Sequence, residues 1–267
     1  MADISGKKWV SATSDDDDGG SASVDIEEHL ELERLTISDS KKLLVLDLNG
    51  LLVHTFRKSK KVQIPNSRRP DAIVGKKRVF KRPFCDEFVR FCFQRFHVGI
   101  WSSNIKRYVD GVIDCALGEL RSRLVFIWDQ SDCTYTGLKT IDDPDDPKKP
   151  LFLKELKKIW DNESSDLPWS KGRYSSSNTL LIDDTPYKAL LNPPNNAIFP
   201  HPYSVEHVDD DGLGLQGEMR MFLEGLADAE DVPSYVAAHP FGQPAITATD
   251  PNWDFYSQII HSFSNDH

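Results

Sequence analysis

A chain of 267 residues, 39% of them hydrophobic, is long enough for one good-sized domain with tails around a real core. Its formal net charge of −10 argues against general binding to nucleic acid, and no apolar run approaches the roughly 20 residues of a membrane helix. The N-terminus has neither the apolar core of a signal peptide nor the Arg-rich, acid-poor make-up of a transit peptide. A soluble protein of the nucleus or cytoplasm is therefore expected, rather than a mitochondrial one.

Residues 1–40 are polar and include the run Asp15-Asp16-Asp17-Asp18-Gly19-Gly20, which predicts a disordered acidic tail with at most a short helix around Ile26 to Leu35. Ser14 ahead of the acidic run resembles an acidophilic kinase site, although a solvated tail explains the same residues. Next, Lys41 to Phe56 carries four apolar residues straight into Asp47, followed by Asn49-Gly50. This reads as a buried parallel strand with a carboxylate at its carboxyl end. An ionised carboxylate there is costly without a cation or donors around it.

Arg57 to Ala72 is a basic loop broken by Pro65 and Pro70, and Arg78 to Lys81 reads as a short strand. Basic residues outnumber acidic ones between Arg57 and Arg107, with Arg68, Arg69, Lys76, Lys77, Arg78, Lys81 and Arg82 clustered. Pro83 suits the first turn of a helix, whose Phe84, Phe88, Phe91, Cys92 and Phe96 recur at helical spacing as core residues. The run His97 to Trp101 predicts a strand ending in Ser102-Ser103-Asn104, which supplies a hydroxyl and an N-cap to a helix over Ile105 to Leu117.

A strand over Leu124 to Trp128 precedes an irregular, acidic, Pro-rich section up to Pro150. Leu151, Leu153, Leu156 and Ile159 predict a short helix carrying Lys154, Lys157 and Lys158, the last two on an exposed face. Asn178 to Ile182 reads as another strand, ending in Asp183-Asp184-Thr185-Pro186. Beyond it come a candidate edge strand at Ala197 to Phe199, a helix over Leu215 to Leu226, and a last helix over Pro251 to Ile260 after a proline-punctuated linker. Cys85, Cys92, Cys115 and Cys133 form no CxxC pair and read as reduced thiols.

Strands alternating with helices imply an α/β fold, a three-layer Rossmann-like, mostly parallel sheet flanked by helices, which gathers the polar strand ends into one crevice. There Asp47, Asn49, Ser102, Asp183 and Asp184 would meet, with Lys154 from a neighbouring helix. Clustered carboxylates repel unless a cation sits among them, and hard oxygen donors without His or Cys favour Mg²⁺. An aspartate nucleophile, a divalent cation, a hydroxyl and a lysine make a phosphoryl-transfer site, in which Asp47 attacks phosphorus while Mg²⁺, Ser102 and Lys154 share the charge.

With these residues in place, DLNGLLVHT resembles the first motif of the haloacid-dehalogenase superfamily. VFKRPFCDEF, IWSSN, LFLKELKKIW and LLIDDTP then resemble its FCP-homology branch, the small phosphatases of the RNA polymerase II C-terminal domain. The resemblance implies Asp47 as nucleophile, Ser102 as phosphate-binding hydroxyl beside Ser103, and Lys154 as the lysine of the third motif. It also implies Mg²⁺ held by Asp47, the main-chain carbonyl of Asn49 and the Asp183–Asp184 pair, one of the pair contacting the ion and the other orienting Lys154 or a metal-bound water.

The matching core would be an FCP-homology domain over 41–228 with a small or absent cap, followed by a linker and a helix packing on it over 229–267. No large insertion encloses a small metabolite, so the expected partner is a phosphorylated protein or peptide. The basic stretch, with Lys76, Lys77 and Arg78, would steer an acidic phosphopeptide, and the acidic tail would fold back on it in competition.

One residue departs from the family pattern. Active members carry Asp two residues after the nucleophile, as the acid and base of the reaction, and Asn49 stands there; Leu51 likewise replaces the usual Thr. Two readings follow. One is a Mg²⁺-dependent Ser/Thr phosphoprotein phosphatase of weakened activity. The other is a catalytically silent binding module, similar to the presequence-receptor subunit of the mitochondrial inner-membrane import translocase.

Overall fold

A computed structural model describes residues 41–141, 148–162 and 167–264. The expectations for the acidic tail, including its short helix, lie outside the described residues. Parallel strands β1 (Leu43–Leu46), β5 (His97–Trp101), β6 (Phe126–Trp128), β9 (Thr179–Ile182) and β10 (Ala197–Ile198) form a sheet in the order β10-β9-β1-β5-β6. Strands β1 and β9 are buried along their whole length, as their unbroken apolar runs require. From β1 the chain moves outward through β5 and β6, then returns to β9 and β10 on the other side. The switch point is therefore at β1, where ligands of open α/β sheets bind beyond the carboxyl ends.

The period of two divides each strand between two cores. Leu44 and Leu46 face α1 (Cys85–Arg95), α2 (Lys106–Leu117) and α4 (Glu218–Asp228) through Phe88, Val112 and Leu223. Leu43 and Val45 face an aromatic layer with Trp101, Trp128 and Trp169, together with the short helix α3 (Lys157–Trp160). Three layers result. The helix α5 (Val232–Ala238), which the linker reading does not anticipate, is capped by Asp231 and sets Val232 and Val236 into the first core. The last helix, α6 (Trp253–Ser264), packs Tyr256 and Ile259 against Leu151, Leu153 and Tyr187. No helix among the described residues is long and apolar enough to cross a membrane.

Two small antiparallel sheets stand at the switch point. One pairs β2 (Val53–Arg57), β4 (Lys77–Lys81) and β3 (Ala72–Val74) in the order β2-β4-β3; the other is β7 (Thr134–Lys139) with β8 (Pro150–Leu153). The second corrects two expectations, since the section before Pro150 is not wholly irregular and Leu151 and Leu153 do not belong to a helix. Their spacing of two matches a strand, and pairing with Thr134 and Tyr135 decides it, leaving the helix only Lys157–Trp160.

Helix starts also shift. Phe84, at φ 62, is the N-cap of α1, so Pro83 lies ahead of the helix instead of in its first turn. Ile105, not Asn104, is the N-cap residue of α2, and the Asn104 side-chain oxygen accepts from Lys77 Nζ at 2.7 Å. α4 begins at Glu218, leaving Leu215 outside it and exposed. All four cysteines are free thiols; Cys85, Cys92 and Cys133 are buried, and burial pushes Cys85 up to about 12 and Cys133 to about 11.

Candidate active site

The floor of the site is built where β1 and β9 end side by side. The Asp47 amide donates to the Ile182 carbonyl at 2.9 Å, so the ladder runs one residue past both strands and delivers Asp47 and Asp183 together. Lys154 follows β8 directly. Its amide donates to the Lys188 carbonyl at 2.7 Å, and its own carbonyl accepts from Asn192 Nδ2 at 2.8 Å. Its ammonium then reaches Asp47 Oδ1 at 2.9 Å and Asp183 Oδ2 at 2.5 Å.

A second lysine, which the motif reading misses, enters the same group. Lys188 Nζ donates to Asp183 Oδ1 at 2.8 Å and lies 3.5 Å from Asp47 Oδ2 and 3.8 Å from Asp184 Oδ1. The available signal is its spacing: Pro186 starts a helical turn immediately after the strand end, and Lys188 stands four residues after Asp184 on it.

These charges set one another's titration. Burial alone would raise the Asp183 carboxyl, but Lys154 and Lys188 outweigh it and hold it below the usual range. Burial would lower Lys188, yet Asp183, Asp47 and Asp184 push it well above the ordinary lysine value. Asp184 is raised to about 7, chiefly by burial, with Asp183 and Asp47 adding to it and Lys188 opposing. A bound cation would reverse that shift.

Oxygens of Asp47, Asp183 and Asp184 all lie within 4.8 Å of one another, and they are the hard donors that Mg²⁺ takes, so the residues fit a divalent cation. The backbone is shaped to this cluster at Gly50. Its φ of +86 suits glycine, and a Cβ there would come within 1.8 Å of Asp184 Oδ2. Gln243, also absent from the motif reading, donates to the Asp184 and Pro200 carbonyls at 2.8 and 2.9 Å and fixes that loop.

Asn49 stands two residues after Asp47 in a tight turn, with Gly50 N donating to the Val53 carbonyl at 2.7 Å. Its side-chain oxygen accepts from the Thr55 amide at 2.7 Å and the Thr55 hydroxyl at 2.8 Å. Since an amide N–H has to donate, that contact fixes which end of the carboxamide faces Thr55. Leu51 is fully buried.

Above the floor opens a cleft of about 710 Å³, lined by Asp47, Asn49, Ser102, Ser103, Asp184 and Lys188 and walled by residues of β2, β4 and β8. Ser102 is buried at the end of β5, its amide bonded to the Trp128 carbonyl at 3.0 Å. Of the three basic residues expected at the site, Lys77 lines the cleft, where burial and Arg57 lower its ammonium. Lys76 and Arg78 do not line it. Arg57, Lys60 and Lys149 do.

Much of the rest of the basic stretch is structural. Arg82 is buried and pairs with Asp210 at 2.7 and 2.9 Å, Arg68 donates to the Lys81 carbonyl at 2.7 Å, and Lys81 pairs with Asp86. Lys158 donates to the Asp132 carbonyl at 3.1 Å and Lys157 is exposed, so neither joins the site.

A parallel α/β sheet with an aspartate at the end of its central strand, a second strand end carrying two more, and a buried lysine between them defines a phosphatase-type haloacid-dehalogenase-like domain. The chain belongs to the NLI interacting factor-like phosphatase family, whose model matches residues 42–233. This bears out the FCP-homology resemblance.

Among its relatives, an uncharacterized FCP1 homology domain-containing protein of Schizosaccharomyces pombe is 23% identical over 233 residues, which cover 86% of this chain and 89% of that protein. Nuclear envelope morphology protein 1 of Saccharomyces cerevisiae is 26% identical over 211 residues, 75% of this chain but only 42% of its own length. A probable C-terminal domain small phosphatase of Dictyostelium discoideum is 37% identical over 76 residues, covering 27% of this chain and 24% of that one. The solved structure of Fcp1, an essential RNA polymerase II CTD phosphatase, aligns with a TM-score of 0.40 at 14% identity over 90% of this chain and 66% of that chain. That likeness is too low to argue from.

Proposed function

We propose that this chain is a Mg²⁺-dependent protein phosphatase acting on phosphoserine or phosphothreonine through a phosphorylated Asp47, with turnover weakened by Asn49. The observation that carries the reading is the Asp47 carboxylate at the end of β1, held by Lys154 at 2.9 Å and facing the same cleft as Ser102. Asp47 and Asp184 would hold Mg²⁺ together with the Asn49 carbonyl, because both line the cleft, whereas Asp183 is fully buried, held by Lys154, and serves as the orienting carboxylate. Bound there, Mg²⁺ would neutralise charge on the phosphoryl oxygens.

A lone pair on Asp47 Oδ2 attacks phosphorus, and the ester P–O bond breaks with its electrons leaving on the seryl or threonyl oxygen. The Ser102 hydroxyl holds the phosphoryl oxygens during transfer, while Lys154, buried beneath the cleft, holds the Asp47 carboxylate in position. The departing alkoxide needs a proton, which an Asn49 carboxamide does not supply, so water must. The hydroxide so formed takes a proton from a second water as that water attacks phosphorus, the bond to Asp47 breaks, and the carboxylate is restored with release of inorganic phosphate.

The basic wall of Arg57, Lys60, Lys77 and Lys149 suits an acidic phosphorylated peptide, and the expected compartment is the nucleus or cytoplasm. Hydrolysis of an aryl phosphate, measured with and without Mg²⁺, tests the reading against Asp47→Asn. Mg²⁺-dependent release that the substitution abolishes is expected. Equal rates from both proteins would overturn it, and a wild type that binds phosphopeptide without any hydrolysis would leave a binding module.

A further inference from the structure

We infer that Lys188 is a tethered cation that competes with the divalent ion for the carboxylates of the cleft, so that Mg²⁺ binds only by pushing its ammonium aside. The inference rests on reading Asp47 and Asp184 as metal ligands and concerns how that site is regulated.

Lys154 already bridges Asp47 and Asp183, so the catalytic reading leaves no task for a second buried ammonium. Lys188 nevertheless reaches all three carboxylates, at 2.8, 3.5 and 3.8 Å, with 7% of its side chain exposed. Its backbone is tied to the site, since the Lys188 amide donates to the Thr185 carbonyl at 3.1 Å and the Lys188 carbonyl accepts from the Lys154 amide. The side chain is the movable part, because it borders the open cleft instead of a closed core.

Charge gives the consequence. Three carboxylates against two ammonium groups leave a single formal negative charge on the floor, and Asn49 adds none. Two cations cannot share the Asp47 and Asp184 oxygens at these distances without strong repulsion in a buried setting. Mg²⁺ therefore enters when Lys188 swings into the cleft, and Lys188 holds the aspartates in register when it leaves. Binding and side-chain position are linked in both directions.

Calorimetric titration of Mg²⁺ into the full chain and into Lys188→Met tests this without any turnover. The variant is expected to bind Mg²⁺ at least about tenfold more tightly. Equal or weaker affinity, or no binding by either protein, overturns the inference.

Should Lys188→Met fail to fold, the wild type is labelled with acetic anhydride with and without saturating Mg²⁺ and read by mass spectrometry. Acetylation of Lys188 should rise with Mg²⁺. A calorimetric Mg²⁺ signal with unchanged labelling of Lys188 refutes the idea. Competition without hydrolysis would remove the proposed function and keep this inference, and Mg²⁺-dependent hydrolysis with affinity indifferent to Lys188 would do the reverse.

Discussion

The floor and the mouth of the cleft are both rich in charge but are built on opposite terms. On the floor, Asp47, Asp183, Lys154 and Lys188 are all buried and hold one another. At the mouth, Arg57 and Lys60 are exposed and Lys77 and Lys149 half-buried, so water and salt reach them even though Lys77 also donates to Asn104. Removing one partner from a buried group costs roughly 3–5 kcal/mol, whereas an exposed pair is worth about 0–1. The floor therefore fixes geometry and chemistry, and the mouth adjusts encounter.

The comparison is sharpest at Asn49, which lies between the two. Asn49→Asp keeps an oxygen for the Thr55 amide and hydroxyl and places a second oxygen where the amide nitrogen now stands. Hydrolysis of alkyl phosphate esters should rise by up to about 10²–10⁴-fold, the usual worth of a general acid, and that of aryl phosphates much less. Parallel assays of the two esters check it. A folded, Mg²⁺-binding variant inactive on both would show that the floor lacks more than a proton donor.

Next in size is Gly50→Ala, which drives a Cβ into Asp184 and strains a left-handed residue. It should lower stability by about 1–3 kcal/mol and weaken Mg²⁺ binding as the Asp184 carboxylate is displaced. Urea unfolding and calorimetry would measure both, and unchanged values would mean that the floor is softer than its packing implies.

The smallest effect belongs to the mouth. Lys77→Met should lower kcat/KM for an acidic phosphopeptide by roughly three- to tenfold at low salt, with the difference shrinking as salt screens the wall. Lys76→Met and Arg78→Met, which do not line the cleft, should do less. Equal effects from all three would restore steering by the whole basic stretch.

By itself the sequence determined the strands that end in Asp47, Ser102 and Asp183, because an unbroken apolar run followed by a polar residue is a local pattern. It also determined the aromatic face of α1 and the family motifs in their order. The β7–β8 pair and the shortened helix α3 were decided by tertiary structure. Leu153, Leu156 and Ile159 alone fit a helical spacing, and only pairing with a strand more than ten residues away selects the extended form of Leu151 and Leu153.

The membership of the basic wall was decided in the same way, since Arg82 and Lys77 look alike in a basic run until Asp210 claims one and the cleft receives the other. Lys188 is the clearest case. Its partner Asp47 lies 141 residues away, and that contact exists only because β9 aligns beside β1 in one register. Hydrophobic patterning is written along the chain, whereas the pairing of buried charges is a property of strands brought together.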